Sequence, residues 1–163
     1  MRYEDKKGFT MIEILVVIVI LGILVGIATM NIKINLIKSR DAARKSDLSS
    51  IQKALELYQN DHGVYPAGDD GRITDDDGTP IAWGAVFQDS NDTIYMNELP
   101  LDPIINPGYC YQNKNNSVTN YQIYAKLENT KDKACLTANC ATTKTCNSEP
   151  KYNFGVSSSN ISP

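Results

Sequence analysis

Hydrophobic and polar positions divide this chain into three stretches. Residues 1–8 (MRYEDKKG) are polar. Phe9 to Met30 is then 22 residues with a single charge, Glu13. A helix of that length rises about 33 Å, enough to cross a bilayer core. Beyond it the pattern becomes amphipathic. Leu48, Ile51, Leu55 and Tyr58 step by 3, 4 and 3 and mark one apolar stripe. No helix stop intervenes before Gly63 and Pro66, which suit a C-terminal cap and its exit. The pattern predicts one helix from Phe9 to about Asp61. Charged residues on its second half read as a solvated surface, and the stripe needs another layer to cover it.

The remaining residues read as short extended pieces. The segment from His62 to Asp92 is turn-rich and acidic. NYQIYAKLE alternates, with Tyr121, Ile123, Ala125 and Leu127 on one face and Gln122, Tyr124, Lys126 and Glu128 on the other. It pairs naturally with GYCYQ across the NKNNSVT loop, and KYNFGVSS offers a final edge strand. The nine tyrosines are expected mainly to pack the head.

Net charge is −3, which argues against a dedicated nucleic-acid binder. Ten acids and one base lie between Asp61 and Asp102, while Lys33 to Lys45 is rich in bases. Those bases suit lipid phosphates or the acids of neighbouring molecules. His62 is the sole histidine and is placed in the helix's last turn. No nucleophile–histidine pair, phosphate loop or zinc-protease motif occurs, so enzymatic chemistry is not expected. Cys110, Cys135, Cys140 and Cys146 suggest two disulfides formed in an oxidising compartment, with three connectivities open. Asp69, Asp70, Asp75 and Asp77 supply hard oxygen ligands for a weak calcium site, although their spacing departs from the EF-hand loop and a solvated acidic loop is the favoured reading.

Three readings of the apolar run compete: a secretory signal cleaved after Ala28, a plain anchor, or processing at Gly8/Phe9. Counting flanking bases favours a cytoplasmic C-terminal side, against the cysteines. Glu13 decides, because an acid in a membrane helix needs a partner. The stretch KKGFTMIEILVVIVILGIL resembles the N-termini of type IV prepilins and type II secretion pseudopilins. LPLDP and YCYQ…YQIYAKLE resemble, more loosely, the heads of pseudopilin G and major pilins.

The resemblance implies an α+β fold: a long helical spine, transmembrane in its first half, packed on a small antiparallel β-sheet head. It implies a leader over 1–8, a transmembrane half over 9–30, an amphipathic half over 31–62 and a head over 63–163. Prepilin peptidase would cut after Gly8 and methylate Phe9. Glu13 would neutralise the Phe9 amine of a neighbouring subunit. The chain would sit in the inner membrane with its N-terminus inside, then join a periplasmic or extracellular filament of its own copies and other pilins, built by an inner-membrane platform. Roles in adhesion, motility, DNA uptake or type II secretion all remain open. Gly22 and Gly26, spaced G-x-x-x-G, are candidates for close helix packing. Met30 stands where the family often has proline, so a fixed kink is not implied. The alternative is a secreted or anchored binding protein with an acidic calcium loop.

Overall fold

A computed structural model describes residues 8–104, 108–113, 119–137, 140, 144–146, 149–158 and 163. The leader up to Lys7 and most of the NKNNSVT loop lie outside the described residues. Helix α1 spans Met11–His62, 52 residues, beginning two positions after Phe9. It passes through two compact units, one ending at Ile37 and the other running from Lys38 to Pro163.

In the first unit the helix exposes its apolar residues all round; side chains such as Ile14, Val19, Leu24 and Ile27 are about half exposed. Among the described residues, no part of that unit covers them.

In the second unit α1 buries the predicted stripe: Leu48, Ile51 and Leu55 are fully enclosed and Tyr58 nearly so. Each such aliphatic side chain contributes about 1.5–3 kcal/mol on burial. The helix ends at Gly63, whose φ of 73° is left-handed and whose N–H donates to Gln59 O at 2.8 Å. Glycine takes that conformation without a Cβ penalty.

The covering layer is a three-stranded antiparallel sheet of β5 (Tyr109–Gln112), β6 (Gln122–Ala125) and β9 (Phe154–Ser157), in the order β5-β6-β9. Tyr111 faces Ile123 across one pair, and Ile123 faces Val156 across the other. Tyr109, Tyr111, Tyr121, Ile123 and Ala125 pack toward the helix stripe, joined by Ile73, Phe87 and Leu99. Among the described residues, three small hairpins accompany this sheet. β1 (Gly68–Asp69) and β2 (Arg72–Ile73) turn through Asp70 and Gly71, both at positive φ, as a two-residue hairpin loop requires. β3 (Phe87–Gln88) pairs with β4 (Ile94–Met96), and β7 (Lys144–Cys146) with β8 (Glu149–Tyr152).

The alternation read for NYQIYAKLE holds for its inner face. The outer face differs, because Tyr124 is also buried, with Cys110, Cys146, Tyr152 and Leu136 in a second cluster. The sheet is therefore covered on both sides. Gly155 lies under Tyr124, where an added Cβ would come 2.7 Å from the ring.

Candidate assembly site

The start of α1 is built as a reciprocal cap. The Thr10 N–H and hydroxyl both donate to Glu13 Oε2 at 2.8 Å, and the Glu13 N–H returns a bond to Thr10 Oγ1 at 3.3 Å. This is the T-x-x-E capping box, which satisfies helix-end donors that would otherwise be orphaned. Glu13 thus has a partner within its own chain, and the signal for it, Thr10 three residues earlier, was present in the sequence. Gly8 and Phe9 precede the helix, and Phe9 is 82% exposed. A Cβ built on Gly22 or Gly26 meets nothing within 4 Å, so neither glycine makes room for anything inside the monomer.

In the second unit, a charged network fastens α1 to the head. Arg44 is wholly buried. Its Nε donates to Asp102 Oδ2 at 2.5 Å and its Nη2 to Asp102 Oδ1 at 3.0 Å. Its Nη1 donates to Asp41 Oδ1 and to Glu128 Oε1, both at 2.8 Å. Arg40 grips Glu128 with two further bonds, at 2.8 and 2.5 Å, and Lys45 reaches Asp132 at 2.6 Å. Asp41 also accepts the backbone N–H groups of Glu128 and Asn129. The Arg40 guanidinium, helped by Arg44 and opposed by partial burial, holds the Glu128 carboxyl down to about 2. Two expectations need correction here. Arg44 and Asp41 are not on a solvated helix face, and Arg40, Arg44 and Lys45 are matched by acids of their own chain.

The cysteines pair as Cys110–Cys146 and Cys135–Cys140. The acidic loop does not assemble as a cation site. Asp69 and Asp70 sit at the β1–β2 hairpin, Asp75 caps the Thr79 N–H at 2.7 Å, and Asp77 is exposed in the following turn. No three metal-ligating side chains converge among the described residues. Local hydrogen bonding draws Asp75 into turn-making. His62 does close the helix, stacked on Tyr58 at 4.2 Å, with Nε2 3.1 Å from the Tyr95 hydroxyl and 3.3 Å from Asp89 Oδ2.

Comparison with known proteins bears on both units. Residues 5–29 match the prokaryotic N-terminal methylation motif, and residues 31–134 match the type II secretion system protein G family. The chain belongs to the type II secretion protein G family. This makes it a structural subunit of the pseudopilin type. The core protein G of Pseudomonas aeruginosa is 32% identical over 110 residues, covering 66% of this chain and 74% of its own. That of Escherichia coli K12 is 32% identical over 115 residues, covering 66% and 78%. That of Vibrio cholerae reaches 39% over 70 residues, covering 43% and 48%. No solved structure matches the chain. The protein G match stops at residue 134, so three of the four cysteines and strand β9 lie beyond it.

Proposed function

We propose that this protein G family member is made as a membrane-held precursor, cut after Gly8 by prepilin peptidase, methylated at Phe9, and polymerised into a secretion pseudopilus. One observation carries the reading. The apolar first part of α1, exposed throughout from Met11 to Ala28, bears one carboxylate, Glu13, near a capped N-terminus. Lipid satisfies the apolar surface before assembly, and other copies satisfy it afterwards. The new amine on Phe9 is the charge that Glu13 of a neighbour is suited to neutralise. In a dry helix bundle, paired opposite charges are strongly favoured over isolated ones. Gly22 and Gly26 supply flat helix surface for close approach. The family match favours a role in protein secretion over adhesion, motility or DNA uptake.

Mass spectrometry of the mature protein tests the processing: a methylated Phe9 terminus is expected, and a terminus at Thr29 overturns the reading. Glu13→Val is expected to be cleaved normally yet to yield few filaments. Normal filament yield from that variant would show that no pairing of Glu13 is needed.

A further inference from the structure

The head bears opposite charge at the two ends of its helical segment. At the His62 end, Asp61, Asp77 and Asp92 are exposed. The turn carrying Asp77 is held there because Asp76 accepts the Ser90 N–H at 2.8 Å and the Ser90 hydroxyl, while neighbouring Asp89 reaches His62. Ile94 is 55% exposed on the same hairpin, whose turn is fixed by Asp89. At the Arg44 end, two segments converge on the buried guanidinium through Asp102 and Glu128. One presents Leu101 and Ile104 to solvent, 55% and 60% exposed. The other presents Lys126, Lys131 and Lys133. Arg44 and His62 are separated by about 27 Å along the helix.

Among the described residues, each end therefore offers exposed apolar side chains beside charges that are mostly of one sign once Glu128 and Asp132 are paired within the chain, and the two ends differ in that sign. An apolar centre with a charged rim is how protein interfaces are composed. Pairing like ends about a two-fold axis would oppose like charges. Joining unlike ends makes a heterologous contact, which repeats into an open fibre. We propose that the acidic end of one subunit docks on the basic end of another copy along the filament. The proposal rests on the filament reading above and adds which surfaces of the head meet. The bases that serve it are Lys131 and Lys133, since Arg40, Arg44 and Lys45 are already held within the chain.

The test uses the full chain, co-expressed with prepilin peptidase and the assembly platform. Filament yield is compared for wild type, Asp61→Lys/Asp77→Lys, Lys131→Glu/Lys133→Glu, and all four changes together. The mature N-terminus and the melting curve of each are measured alongside. Each two-site reversal is expected to cut yield several-fold, and the four-site reversal to restore most of it. Unchanged yield in either two-site variant overturns the docking proposal. So does a four-site variant that melts like wild type and stays as poor as its parents. If a reversal melts early, Asp61→Asn/Asp77→Asn and Lys131→Gln/Lys133→Gln carry the test, and both must lower yield. Wild type that is correctly processed yet forms no filaments overturns the filament reading itself.

Discussion

Arg44 shows how much a single charged side chain holds together. It is fully enclosed, yet it meets acids from its own helix, from the LPLDP segment and from the end of the β6 strand region. Removing one member of such a set leaves the others buried without compensation, at a cost of about 3–5 kcal/mol. Arg44→Ala is expected to lose that amount in chemical denaturation of the full chain in detergent. A second expectation concerns acid. The Glu128 carboxyl lies near 2 when folded, below its ordinary range. Its stabilising contribution is complete above about pH 4.5 and is lost as pH falls toward 2. Glu128→Gln is expected to lower stability at neutral pH and to flatten the acid limb of a pH-melting series. Only the Asp41–Arg44 pair, three residues apart on one helix, follows a local rule; the rest of this network was not legible in the sequence. Arg44 has the same composition context as an exposed helix residue, and its partners in the head, Asp102 and Glu128, lie 58 and 84 positions away. Thr10 was legible in principle, because its spacing from Glu13 is a local rule that needs no tertiary information.

At the scale of elements, periodicity carried most of the information. The 3-4-3 stripe located the buried face of α1, and alternation located the inner face of β6, because both repeats report one apolar side. The outer face of β6 could not be read this way. Tyr124 fits either a solvated or a covered surface, and its cover comes from β7 and β8, about whose placement local pattern is silent. The disulfides belong to the same scale. Cys110–Cys146 ties β5 to β7 across 36 positions, whereas Cys135–Cys140 closes only 5. Loop-closure entropy makes the first worth about 3–4 kcal/mol and the second about 2. Replacing both members of the long bridge with serine is therefore expected to lower the melting temperature more than replacing both members of the short one. Differential scanning calorimetry of the two variants checks the order.

At the scale of the molecule, one chain carries two units with different demands on their surroundings. The first has an apolar helix and nothing among its described residues to cover it; the second has a closed core and a charged exterior. The helical half was the easier to foresee, because composition alone sets its solvent. The head was foreseen as a class of fold, with the β5-β6-β9 sheet but neither the β7–β8 hairpin nor the second core. That second core also guards an edge. The middle strand β6 is bordered by β9, and its Tyr124 is covered from β7 and β8. A cut between β6 and β7 that released those later strands would bare an unpaired strand edge and a buried tyrosine together, the combination on which strands of other molecules add, so an intact link there protects the head from aggregation.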